Sequence, residues 1–359
     1  MLKIKFLAVG ILLTAFFSCS EKSQSEYTII QKDVEKSALT NFFNVLSVTT
    51  LKENPDYFLQ EVSKVEYYSN RIAVLDRFDS QQLLIFEQLT GEFLYNVGFS
   101  GEGPGGFTFP YDFFIDEKNQ EILILTYGKV NSYNLYTGEF KKSKIMPLPA
   151  VRFEKLNNEQ WLLSLGGGSN YKLALVDSNY DLIESYIESR PMHSMLPWQS
   201  FVMSRENAPL YVQNYDNVIY AVSQKGDLYY HKVLDFNQDT PEGDLIESIT
   251  DPRDVPNILT SKGLLHRHYL ELKKYDFFIY MLDEEYTVYI RNIETEKVMT
   301  FDGIKSMNDI TFEDYFPSIV GADNTGLFGL TRTYERDKND QESNSNDELI
   351  TLVKFSPKF

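Results

Sequence analysis

Two tetrads, Thr90-Gly91-Glu92-Phe93 and Thr137-Gly138-Glu139-Phe140, stand 47 residues apart, counted from Thr90 to Thr137. Each reads as the turn of a hairpin: a β-rich run, a glycine-bearing turn, then a second β-rich run. Weaker echoes over residues 176–182 and 222–228 continue the spacing. A period of about 40–50 residues holding several short strands is the mark of a propeller blade, which cannot bury both faces alone and must stack on its neighbours around an axis. A β-sandwich of 359 residues would be unusually large, and solenoid repeats are shorter.

The second unit shows the expected order from axis to rim: strands over 111–116, 121–125, 130–135 and 139–145. Equivalent sets fall at 62–97, 151–187 and 201–234, and a fifth runs from Lys273 to residue 301. The last set, 316–321, 326–331 and 349–355, is one strand short, and residues 42–48 (FNVLSV preceded by Phe42) have no partner before the first unit. They are expected to complete it. The chain therefore reads as all-β, a six-bladed β-propeller with four-stranded blades over residues 39–359, its ring closed by an N-terminal strand, since a blade with an open edge would template aggregation.

Composition agrees. Apolar residues make up 43% and aromatic residues 14%, enough for a packed core and biased towards strands. With 52 acidic against 34 basic residues the formal charge is −18, which argues against nucleic acid as a partner. A single Cys excludes a disulfide scaffold and any Cys-rich metal site.

That Cys has a telling place. Lys3 and Lys5 precede an apolar run over residues 6–17, too short to span a bilayer at about 20 residues, and Ser18-Cys19 follows it directly. The segment resembles a bacterial lipoprotein signal. The resemblance implies that residues 1–19 are a signal peptide, that Cys19 is lipidated and becomes the new N-terminus, and that the membrane is met through this lipid anchor at the cell envelope, on the outer membrane. Residues 20–38, polar at their start, are expected to be a tether.

Residues 98–116 (GFSGEGPGGFTFPYDFFID) carry a further likeness. The run Gly101-Glu102-Gly103-Pro104-Gly105-Gly106-Phe107 resembles the Gly-x-Gly-Pro-Gly-Glu-(Phe/Tyr) segment of six-bladed β-propeller lipoproteins of Gram-negative gut-type bacteria, with Gly106 where that family usually has Glu. The likeness implies fold and address rather than a reaction. Gly101, Gly103, Pro104 and Gly105 are expected to shape a structural loop from one blade to the next.

Other motifs are incomplete. Gly101-x-Gly103-x-x-Gly106 matches a dinucleotide fingerprint by letter, but an aromatic, strand-like run follows where a helix N-terminus is needed. Gly98-Phe99-Ser100-Gly101 lacks the final glycine of a nucleophile elbow. His266 and His268 would share one strand face, without an evident third metal ligand. Asp112 and Asp116 share strand parity and could both face the channel, though about 13 Å apart they are too distant for a glycosidase pair. No catalytic residue, metal or cofactor is assigned.

Connections from an outer strand to the next inner strand, and from second to third strand, leave a propeller on one side. The long ones here are 98–110, 188–199, 335–346 and an insertion at about 237–270, with short helices expected at 244–249 and 258–265 as a lid. Polar and aromatic residues expected near that face as ligand-binding candidates are Arg77, Tyr127, Lys129, Trp198, Tyr215, Arg253, His266 and Arg267, with Phe78 beside them. The leading expectation is an envelope-anchored propeller that binds an unknown ligand or envelope protein on its long-loop face. The alternatives are a polysaccharide-acting or other hydrolase or lyase with groups gathered from several blades, and an assembly scaffold for envelope proteins.

Overall fold

The computed structural model describes residues 26–29, 43–52, 57, 59, 61–189, 201–213, 218–235, 265–282, 285–302, 318–323, 325–335 and 347–358. These build six small antiparallel sheets in a ring, a six-bladed β-propeller without helices among the described residues. Blade 1 holds Lys64–Tyr68, Arg71–Asp76, Gln82–Glu87 and Phe93–Asn96. Blade 2 holds Asp112–Asp116, Glu121–Thr126, Lys129–Asn134 and Phe140–Ile145. Blade 3 holds Ala150–Lys155, Gln160–Leu165, Tyr171–Asp177 and Leu182–Glu188. Blade 4 holds Phe201–Met203, Pro209–Tyr211, Val218–Val222 and Leu228–Asp235. Blade 5 holds Leu265–Glu271, Tyr275–Leu282, Glu285–Asn292 and Val298–Asp302. Within each, strands pair in chain order from axis to rim.

Burial follows the layering. The second strand of blade 2, EILILT, is buried at every position but its first, because neighbouring blades cover both its faces. Strands buried on both faces read as continuous apolar runs rather than alternations. The rim strand FKKSKI is exposed throughout, and Lys141, Lys142 and Lys144 keep its unpaired edge from accepting another strand. Apolar clusters sit between blades: Leu75, Ile85 and Val97 of the first unit meet Phe113, Ile122 and Tyr133 of the second. Leu123 and Leu125 then meet Phe153, Trp161 and Leu163.

The repeated turn also has an interblade role. Gly138 has φ +71°, and a Cβ there would lie 2.4 Å from the carbonyl oxygen of Asn96 at the end of blade 1. Gly91 approaches the carbonyl of Thr50 in the same way, so the tetrad's glycine lets one blade's hairpin press on the preceding blade's rim strand. Asn134 Oδ1 accepts the amides of Tyr136 and Thr137 and fixes the turn.

Blade 6 is built from both chain ends. Ser318–Asp323, Gly326–Glu335 and Asp347–Pro357 are completed by Phe43–Thr50, antiparallel to the last of them from Phe43↔Pro357 to Thr50↔Thr351. Phe43 meets Phe355 edge-on at 5.1 Å, and the Thr50 and Thr351 hydroxyls are 3.0 Å apart. Leu330, Ile350 and Leu352 then pack on Val65, Ile72 and Val74 of blade 1, closing the circle.

Two sequence expectations change. Within the stretch read as tether, Glu26–Ile29 forms a strand, parallel to the rim strand of blade 4 (Glu26↔Lys232 to Ile29↔Asp235), because that edge was still open to backbone pairing. The insertion ends before Leu265 rather than at residue 270: Leu265–Glu271 is the innermost strand of blade 5, which the sequence reading started at Lys273. Residue 265, placed in an expected helix, begins that strand; the other residues of both expected helices lie outside the described residues.

Candidate functional site

Asp76, buried at the end of the second strand of blade 1, accepts the Asp79 amide (3.1 Å), the Ser80 hydroxyl (2.8 Å) and the Glu61 amide (3.1 Å). The turn so fixed presents Arg77 and Phe78, and Ser63 Oγ accepts the Arg77 amide at 3.2 Å. Opposite runs the connection from blade 1 to blade 2. Its Phe109 is held at φ +59°, a costly conformation for a bulky residue, with its amide donating to Gln81 Oε1 at 3.2 Å. The Phe109 ring thereby stands 6.4 Å from Phe78 and 5.7 Å from Tyr111.

The Arg77 guanidinium carbon lies 5.0 Å from the Phe78 ring centroid and 5.1 Å from that of Tyr111. The residue is only 6% exposed, and its Nε is buried without a hydrogen-bond partner. Burial, and after it the charge of Arg152, pushes the guanidinium down to about 10, with Asp112 acting in the opposite sense. Arg152, on the innermost strand of blade 3, donates to the backbone carbonyls of Tyr111 and Val151. Neither arginine forms an ion pair among the described residues.

Beside this rim the innermost strands of blades 1 to 3 gather further charge. Lys64 Nζ donates to Asp112 Oδ1 (2.9 Å) and the Phe113 carbonyl (2.7 Å), and pairs with Glu66 at 2.9 Å. Burial opposes the Lys64 charge, yet Asp112, Glu66 and Glu154 together hold it protonated well above the usual range. Glu154 is pushed up to about 8, first by burial, against the pull of Lys64 and with the help of Glu66 and Asp112. Glu66 is raised as well, again chiefly by burial. Burial and its acidic neighbours thus favour the protonated form of Glu154.

Asp112 and Asp116 do not line the channel together as their parity allowed. They are 2% and 6% exposed and turn towards blade 3, because its strand offers donors at both levels. Asp112 Oδ2 accepts the Phe153 amide at 3.2 Å, and Asp116 accepts Lys155 Nζ at 2.7 Å. A second network closes blades 4 and 5: Asp276 accepts Lys232 Nζ (2.7 Å) and Arg205, while Glu271 accepts His231 Nε2 (2.8 Å) and the Tyr269 hydroxyl. Glu271 is opposed by burial but held well below the carboxylate range by His231 and Lys232. These carboxylates are fully partnered. Among the described residues no cluster of three or more His, Cys, Asp or Glu is arranged to hold a metal.

Of the residues singled out in sequence, Arg77 stands at this rim. Tyr127 is 81% exposed in the turn between the second and third strands of blade 2. Lys129 donates to the Gly106 carbonyl at 3.3 Å and so braces the glycine loop. That loop joins blade 1 to blade 2 without a helix; Gly101, Gly103 and Gly105 take positive φ, with Pro104 between them. Tyr133 Oη donates to the Gly105 carbonyl, and Asn131 Nδ2 to that of Gly106. A Cβ on Gly106 would lie 2.5 Å from the Gly101 carbonyl oxygen, so this chain's loop has no room for the Glu usual in the resembling family. His266 and Arg267 lie on the innermost strand of blade 5, whose pairing with the next strand shifts register between His266 and His268. Cys19, Trp198, Tyr215 and Arg253 lie outside the described residues. Arg152, Tyr111, Phe109, Glu66 and Glu154 were not singled out as site residues; a signal existed only in the Arg152–Glu154 alternation.

A family model for a domain of unknown function, DUF4934, matches residues 16–358. The chain belongs to this family. The fold is shared with a candidate exported protein of Bacteroides fragilis at TM-score 0.74 and 16% identity, covering 94% of this chain and 100% of the other. A structural-genomics protein of unknown function from Bacteroides thetaiotaomicron is similar at TM-score 0.49 and 10% identity, covering 88% of this chain and 76% of that one. Virginiamycin B lyase from Staphylococcus aureus is similar at TM-score 0.45 and 10% identity, covering 88% and 99%. No functionally curated protein matches the sequence.

Proposed function

We propose that this DUF4934 protein is a lipoprotein of the bacterial cell envelope, acylated at Cys19 and anchored at the outer membrane, whose propeller binds a ligand or partner on its long-connection side. The anchor is supported by the lone Cys placed directly after the apolar run. The binding role rests on one observation: Arg77 and Arg152, which form no ion pair among the described residues, meet at a rim of three aromatic rings. Two comparisons test the reading. Metabolic labelling with an alkyne fatty acid should mark the wild-type chain and not Cys19→Ala; equal labelling removes the anchor. The full chain and an Arg77→Met/Phe78→Ala variant, purified from the envelope in detergent, should differ in the solutes, glycans or proteins that travel with them. Identical inventories would overturn the binding role.

A second reading, a glycan lyase or hydrolase, is favoured by Glu154, a carboxyl that keeps its proton near neutral pH beside Glu66 and Lys64, as a general acid must. Turnover of a polysaccharide panel that disappears in Glu154→Gln would support it. No turnover by the wild type sinks it.

A further inference from the structure

Cations at the neighbouring blade interfaces find carboxylates: Lys64 has Asp112, Lys155 has Asp116, and Lys232 and Arg205 have Asp276. In a chain with 52 acidic residues the means to pair a guanidinium are not scarce. Yet among the described residues Arg77, 6% exposed, has its buried Nε unbonded, and Arg152 donates to backbone carbonyls alone. Asp112 offsets only part of what burial costs the Arg77 charge, and the like charge of Arg152, which meets it at Tyr111, adds to that cost. An incoming anion would relieve both.

The surroundings narrow its chemistry. Phe78 and Phe109 are 49% and 40% exposed, large for rings held in fixed mutual geometry, and with Tyr111 they form an aromatic corner beside the guanidinium, with interplanar angles of 86° and 57°. Phe109 is kept there by a left-handed backbone and by Gln81. Nearby stands the Asp112 carboxylate, paired with Lys64 and acting on Arg77, which disfavours a polyanion. We propose that this rim is a binding site for a small molecule carrying one oxyanion, carboxylate or phosphate, on a planar ring, with Arg77 and Arg152 taking the oxyanion and Phe78, Phe109 and Tyr111 the ring. The inference rests on the ligand-binding reading above and names its ligand class.

Calorimetric titration of the full chain in detergent with 2-naphthoate, 2-naphthyl phosphate, the neutral 2-naphthamide and inorganic phosphate tests it. At least one naphthyl anion should bind, with the amide and the bare phosphate weaker by about tenfold or more, as expected for loss of a charge-assisted contact or of the stacking ring. Which anion binds better separates the two oxyanion sources. Arg77→Met keeps the buried stem and should weaken binding by about tenfold. Arg152→Gln should do the same at a half-buried position, so the test survives if Arg77→Met fails to fold. Equal binding of amide and anion, no binding of either anion, or full affinity in a folded variant would overturn the inference. If naphthyl anions do not bind while the Arg77→Met/Phe78→Ala variant still loses a travelling species, this inference fails and the broader reading stands. If they bind as described while the inventories match, the broader reading fails instead.

Discussion

Lys64 of blade 1 donates to Asp112 of blade 2 at 2.9 Å, and the same carboxylate accepts the Phe153 amide of blade 3. One side chain thus fastens three consecutive innermost strands. Asp112→Ala would leave Lys64 with Glu66 as its remaining ion-pair partner and orphan the buried Phe153 amide, at a cost of about 3 kcal/mol. Urea denaturation followed by tryptophan fluorescence measures it; a loss within the error of the wild type refutes the fastening role.

Asp276 is completely buried and holds Lys232, also completely buried, together with Arg205. Asp276→Asn leaves those cations only their longer contacts with Glu271, at 3.7 Å from Lys232 and 3.5 Å from Arg205, and should cost about 3 kcal/mol. Replacing Lys232 by Met in the same chain should recover part of that loss, which a double-mutant cycle reads directly.

Stability should bend with pH in two opposite ways. Glu154 titrates near 8 in the folded chain against an ordinary 4.5, so between those values the folded state holds a proton that the unfolded state has released. Its contribution therefore falls as pH rises from 4.5 through about 8 and is level beyond. Glu154→Gln should flatten this limb. Glu271 lies below its ordinary 4.5, so its contribution is present above that value and disappears as pH falls beneath it. Melting temperatures of wild type, Glu154→Gln and Glu271→Gln from pH 3 to 9 (about six points) separate the two limbs.

Gly138 and Gly128 share a left-handed backbone, φ +71° and +69°, but only Gly138 faces an obstacle, the Asn96 carbonyl. Gly128→Ala should cost about 1 kcal/mol from backbone strain alone, and Gly138→Ala roughly 2–4 kcal/mol because the adjacent blade must also move. Equal losses would show that the hairpin does not press on its neighbour.

Blades 1 to 3 were legible because their second strands are apolar runs and their third and fourth strands are joined by Thr-Gly-Glu-Phe or Asp-Ser-Asn-Tyr turns. Leu265–Glu271 escaped notice because its His-Arg-His start and its bulge hide the period of two. Arg77 stood out beside Phe78 at a strand end, whereas Arg152 looks like any exposed residue of an alternating strand. What sets Arg152 apart is Tyr111, 41 residues earlier and on another blade. Spacing along the chain does not encode which blades become neighbours across an axis, and that juxtaposition gives the rim and the raised acid their character.

The clasp between Phe43–Thr50 and Asp347–Pro357 means that the ring cannot be completed until the strand Asp347–Pro357 has been synthesised. A product broken off before residue 347 keeps Phe43–Thr50 unmated, with its backbone donors and acceptors open to another chain.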